Sequence, residues 1–178
     1  MAQIYDKPML SNYESNYFNV KDFGIDGNQL SLETRIRINY IEDVVDCHYM
    51  RISLHTTNGM VEMPVIQAGC SKSNLVWVSE KNFSFTEIDP RPYEKPRLAW
   101  ETVKIQLGDM KAQFLRNDTL IDQIPYRYPL GDLYGIRIRF RGMGEIDYVR
   151  IKDQAGNLVY QEEFELNEQN TGTQVSAR

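Results

Sequence analysis

The sequence predicts an all-β fold of two antiparallel sheets packed as a sandwich, and three observations carry that expectation. Apolar and polar residues alternate with period 2 along most of the chain and show almost no helical periodicity. Turn signals built on Gly, Asn and Asp separate the alternating runs. Composition leans to strand formers, with 11 Tyr and 7 Phe, as a pleated and half-buried surface requires.

Residues 1–17 read as an N-terminal extension, 18–166 as one sandwich domain, and 167–178 as a polar tail. In "QLSLETRIRI", Leu30, Leu32, Thr34, Ile36 and Ile38 share one face, and Ser31, Glu33, Arg35 and Arg37 share the other. The same alternation places Met50, Ile52 and Leu54 on a core face, then Val103, Ile105 and Leu107, then Ile136, Ile138 and Phe140. A turn centred on Gly108 and Asp109 pairs Leu107 with Met110, Ile105 with Ala112 and Val103 with Phe114. "RNDT" marks a further turn at Asn117 and Asp118.

A turn at Asn58 and Gly59 pairs Leu54 with Met63 and Ile52 with Val65, puts His55 opposite Glu62, and carries Cys47 to a position opposite Cys70. Two readings stay open for these cysteines: a disulfide, which implies an oxidising compartment, or a pair of small buried thiols. Pro64 would then face Ser53 at a ladder position where proline has no N–H to give. "TEIDPRPYEKPR" (86–97) and "IPYRYPLGDLYG" (124–135) are proline-bearing and read as long connections.

Several function classes are excluded at this level. Formal charge is −5 with the basic residues scattered among acids, which is no nucleic-acid footprint. No apolar run approaches the roughly 20 residues that span a bilayer, so no membrane insertion is expected, and the N-terminus shows no signal peptide. His48 and His55 stand in no triad or zinc motif, so no metal or other cofactor is expected. Asp22, Asp26 and Asn28 are oxygen ligands of the kind calcium takes, at a spacing that reads more simply as a turn.

Aromatics lead to a ligand. Sugars stack their C–H faces on Trp and Tyr rings while neighbouring polar groups take the hydroxyls. Trp77, with Arg91, Tyr93 and Arg97 in one connection and Tyr126, Arg127 and Tyr128 in the other, are the candidate binding residues; Tyr134 lies beside them. The alternative is that Trp77 and Trp100 fill the core and the tyrosines line its rim.

The block "WETVKIQLGDMKAQFLRNDTLIDQIPY…GDLYGIRIRFRGMGEIDYVRIKDQAGNLVYQEEF", with a Cys ahead of the "NG" hairpin and "GC" after it, resembles concanavalin A-like lectin/glucanase jelly rolls, closest to uncharacterised modules of Bacteroidetes envelope proteins. The resemblance implies a jelly-roll fold strongly and an activity weakly. It points to a periplasmic or extracellular binding module, with a glycan or an envelope protein as partner.

Within that block, "GEIDYVRI" nearly spells the "EIDxxE" strand of the related glycoside hydrolases. Retaining hydrolysis needs two carboxyl groups about 5–5.5 Å apart. Arg150 stands where the acid/base would be, and arginine holds its proton far above neutral pH. Alternation puts Glu145, Asp147 and Val149 on a solvent face opposite Ile146 and Tyr148, with Glu33, Glu101 and Glu162 as candidates for a second carboxylate. The expectation is a binding module and no enzyme.

Overall fold

The structure is a computed structural model that describes residues 2–3, 14–39, 47–67, 75–84, 87–95 and 99–164. Two sheets contain the described strands. One runs in the order β1 (Ala2–Gln3), β13 (Met143–Asp153), β3 (Leu30–Asn39), β9 (Glu101–Gly108), β10 (Lys111–Arg116), β11 (Thr119–Pro125), with β14 (Leu158–Glu163) also on β13. The other runs β2 (Glu14–Val20), β12 (Leu133–Arg141), β4 (Tyr49–Thr56), β5 (Gly59–Gln67), β6 (Leu75–Ser79), β7 (Lys81–Ser84). β8 (Glu94–Lys95) adds to β5 in parallel, and every other pairing is antiparallel.

The alternating residues fill the space between the sheets as expected. Leu30, Leu32, Thr34, Ile36 and Ile38 on β3 are buried, and so are Met50, Ile52 and Leu54 on β4 and Ile136, Ile138 and Phe140 on β12. Each large side chain removed from water there contributes about 1.5–3 kcal/mol. β2 begins at Glu14, inside the stretch read as an extension, and β1 adds Ala2 and Gln3 to the edge of β13. No helix among the described residues is long and apolar enough to cross a membrane.

Two hairpins depart from the expected register. In β9–β10, Gly108 pairs Lys111, so the turn is Asp109–Met110, with φ of 49° and 56°. Leu107 therefore faces Ala112 and Ile105 faces Phe114. Both turn residues are left-handed, as the primed turns that match strand twist require. Asn117–Asp118, at 48° and 60°, makes the same kind of turn where the sequence placed it.

In β4–β5, Thr56 pairs Gly59 and the turn is Thr57–Asn58. Leu54 faces Val61, Ile52 faces Met63, and Pro64 stands opposite Arg51 rather than Ser53. The cause is tertiary: Thr57 and Asn58 donate their N–H groups to the carbonyls of Asp132 and Leu130, and Thr57 Oγ1 accepts the Asp132 N–H. Gly59 sits so close to Ser79 that an added Cβ would lie 3.1 Å from its backbone. The register argument that set Cys47 opposite Cys70 therefore fails. Cys47 is disulfide-bonded all the same, and Cys70 lies outside the described residues.

β13 carries a bulge. Ile146 pairs Ile36 and Tyr148 pairs Arg35, leaving Asp147 as the extra residue. The inward phase thus passes from Ile146 to Val149 and Ile151, all buried, and Tyr148 turns outward. Simple alternation across "GEIDYVRI" does not hold.

The two connections carry more structure than expected. Arg91–Tyr93 forms a 3-10 turn that feeds β8, and β11 and β12 shorten the second connection to residues 126–132.

Candidate functional site

Trp100 is only half-buried, and it lies outside the sandwich interior. Its ring is 5.3 Å from the Arg35 guanidinium and 5.0 Å from that of Arg37. Beneath this stack the hydrolase-like carboxylates are already engaged. Glu145, expected in solvent, is 1% exposed and takes the Nε and Nη2 of Arg37 on its Oε2. Asp147 pairs with Arg35 at 2.9 Å. Arg150 pairs with Glu163 at 2.8 Å.

The candidate second carboxylates are held apart. Glu33 pairs with Lys104 and accepts the Tyr148 hydroxyl; Glu101 pairs with Arg116 at the edge of the core; Glu162 lies near the Tyr160 hydroxyl. No two of these acids face each other across a cleft.

The expected binding residues scatter. Tyr93 is 1% exposed, packs edge-on against Phe114 and donates to Asp122 at 2.6 Å, which makes it a core residue. Burial, joined by that carboxylate, drives its hydroxyl pKa far up. Arg91 is spent on Asp89, and Arg97 lies outside the described residues. Tyr126 is buried, and Arg127 lies over the exposed Tyr128 ring. Tyr126 and Arg127 line a cavity of about 280 Å³ with Val78, Phe83, Ile124 and Pro125. Asp22 and Asp26 cap their own turns by accepting from Gly24 and Asn28, and no group of three potential metal-ligating side chains exists among the described residues.

Trp77 belongs to a better-built surface. On the second sheet the outward side chains form cross-strand rows: Phe18, Arg137, Ser53, Glu62 and Trp77 make one, and Val20, Gly135, His55, Met60 and Ser79 the next. Arg139 lies beside Arg51, and Arg141 beside Tyr49. Like charges opposed on neighbouring strands cost stability. Here the Tyr49 ring stands 4.9 Å from the Arg51 guanidinium and 5.9 Å from those of Arg139 and Arg141.

Although this face points away from the sandwich interior, its floor is packed. Ser53 is fully buried, and Arg51 and Glu62 are largely so. Glu62 accepts the Ser53 hydroxyl at 2.7 Å and lies 3.4 Å from Arg51 Nη1. His55, expected opposite Glu62, instead pairs Met60 and meets Phe18 edge-on at 5.8 Å. Its Nε2 is buried with no hydrogen-bond partner. Burial, then the positive charge of Arg137, holds its pKa below the usual imidazole value, against an opposing pull from Glu62. Trp77 closes the row at its far end, half-buried, with Nε1 donating to the Ser79 carbonyl at 2.8 Å.

The surface combines fixed hydrogen-bonding groups, a guanidinium and an indole, which is the equipment that holds a hydroxylated ring. Sequence reasoning singled out Trp77 from this set. "YMRISLH" and "GIRIRFR" did show outward Arg51, Ser53, His55, Arg137 and Arg139, but not that β4 and β12 are neighbours.

No family model matches the chain, and no curated protein matches it. Solved structures do. A homodimeric agglutinin from chicken liver, CG-16, is similar at a TM-score of 0.52 and 8% identity, over 78% of this chain and 100% of that one. A structure from work on endo-acting O-glycanases that prominent human gut microbes express to initiate mucin breakdown is similar at 0.54 and 11%, over 78% of this chain and 73% of that one. At such identities the likeness shows the fold alone, a sandwich of two antiparallel sheets.

Proposed function

We propose that the chain is a non-catalytic carbohydrate-binding module acting through the outward face of β12, β4, β5 and β6. The observation that carries this is the row Arg137, Ser53, Glu62, Trp77: a cation and an indole flank a buried hydroxyl–carboxylate pair. A pre-set polar floor loses little freedom when a sugar docks, so its hydrogen bonds translate into affinity. The sandwich fold supports the reading, and the pairing of Glu145 and Asp147 with arginines argues against hydrolysis at the "EIDxxE"-like strand. The disulfide at Cys47 favours a compartment outside the cytoplasm, at the cell envelope or beyond.

The test is a glycan array followed by titration read through tryptophan fluorescence. Trp77→Ala and Glu62→Gln should each weaken binding about tenfold or more without removing the cooperative melt. An array blank for wild type, or wild-type affinity in both variants, overturns the reading.

One observation favours a second function, docking of a protein partner. Phe18 (55% exposed), Val20 (58%) and Tyr134 (42%) form an apolar patch where β2 and β12 meet.

A further inference from the structure

Resting on that reading, we propose that the sugar recognised here carries an acidic group, a carboxylate or a sulfate, and that Arg137 binds it. The chain's usual treatment of a partly buried arginine is a carboxylate close by: Arg37 has Glu145, Arg51 has Glu62 and Arg116 has Glu101. Arg137 is built otherwise. Its Nε donates to a neutral amide oxygen, Asn16 Oδ1, at 2.9 Å, and among the described residues no carboxylate pairs with it.

Its neighbours on the row are also neutral, Phe18 on one side and Ser53 on the other. The nearest acid along the row, Glu62, already holds Ser53 and Arg51. Half-burying a guanidinium without a counter-charge has a desolvation cost that a folded chain usually offsets with an ion pair. The arrangement fixes the guanidinium by its Nε and leaves its terminal Nη pair for a planar or tetrahedral oxyanion, which arginine takes bidentately. The field of this cation reaches the strand next to it, since it helps depress the pKa of His55. A chain of formal charge −5 repels anions in general, so an uncompensated cation beside the stacking Trp77 row selects a particular acidic ligand instead of attracting all of them.

The test compares matched oligosaccharide pairs: a neutral chain against its uronate-bearing counterpart, and the same chain against its sulfated counterpart, titrated at low and at high salt. At least one acidic partner should bind about tenfold tighter than the neutral one, with the preference shrinking as salt rises. Which arm shows the preference identifies carboxylate or sulfate. Arg137→Gln should bring acidic and neutral affinities together by costing the acidic ligand far more than the neutral one, and Arg137→Lys should keep part of the preference. Neutral and acidic chains binding wild type equally would overturn the acidic-group inference and leave the carbohydrate reading standing. Failure of every glycan to bind would overturn both. The wild-type comparison decides even if Arg137→Gln proves unstable.

Discussion

Glu145 lies under Arg37, receiving two guanidinium N–H groups on a single carboxylate oxygen, with the Trp100 ring 5.0 Å from the same guanidinium. A nucleophile or proton donor needs an accessible lone pair or proton and a substrate in reach. This carboxylate is buried and its charge is already matched.

Restoring the hydrolase-like spacing should therefore restore no activity. Arg150→Glu recreates "EIDxxE" in letters, but Glu145 stays paired with Arg37 and Asp147 with Arg35. A reducing-sugar assay on β-glucans should read background for both wild type and variant. Turnover above background would show that the pairs open in solution.

Tyr93 should behave as a structural residue and not as a ligand contact. Tyr93→Phe removes the buried hydrogen bond to Asp122 and should lower stability by about 1–2 kcal/mol. Glycan affinity should be unchanged in the same sample. A selective loss of affinity with an unaltered denaturation curve would put Tyr93 back in a binding site.

The Asn117–Asp118 turn offers a stabilising change. Asp118 holds φ of 60° and is well exposed, with only a 3.4 Å approach to Lys104 at stake. Asp118→Gly makes the preferred Asn-Gly pair and should add about 0.5–1 kcal/mol, a rise of roughly 1–4 °C in melting temperature for a chain of this size. An unchanged or lower melting point would mean that the aspartate side chain matters more than its backbone strain.

Stability should depend on pH through His55. Its folded pKa is depressed by burial and by Arg137, so below the ordinary imidazole value the unfolded chain takes up the proton more readily. The contribution is fully present above about pH 6.5 and is lost as pH falls from there through the folded value. Melts between pH 5 and 8 should show this slope, and His55→Gln should flatten it. Identical slopes in the two proteins would assign the acid sensitivity to other groups.

Period-2 patterning was enough to read the sandwich, because each strand buries one face and the alternating set on β3, β4, β9 and β12 is uninterrupted. Registers were less legible. "LGDM" and "TNGM" each admit two turn positions one residue apart, and the choice falls to contacts distant in sequence, such as Asp132 and Leu130 on Thr57 and Asn58. The candidate site was barely legible for a related reason. Arg137, Ser53 and Glu62 are ordinary outward residues on three strands, and only the strand order β12, β4, β5 brings them into one row. Tyr93 and Tyr126 misled because proline-rich segments look exposed, whereas here they fold their rings into the core.

The bulge at Asp147 makes β13 a strand read in two frames. Upstream of it Ile146 meets the core; downstream, Val149 and Ile151 do so because β13 uses one more residue than β3 at this point. A residue inserted here with the bulge kept would deliver Tyr148 and Arg150 to the interior and expel two aliphatic side chains, whereas removing Asp147 only flattens the bulge and keeps Val149 and Ile151 inward. Length at this point is therefore as much a part of the information in the chain as residue identity. An insertion beside position 147 should be tolerated far less well than a substitution or a deletion there.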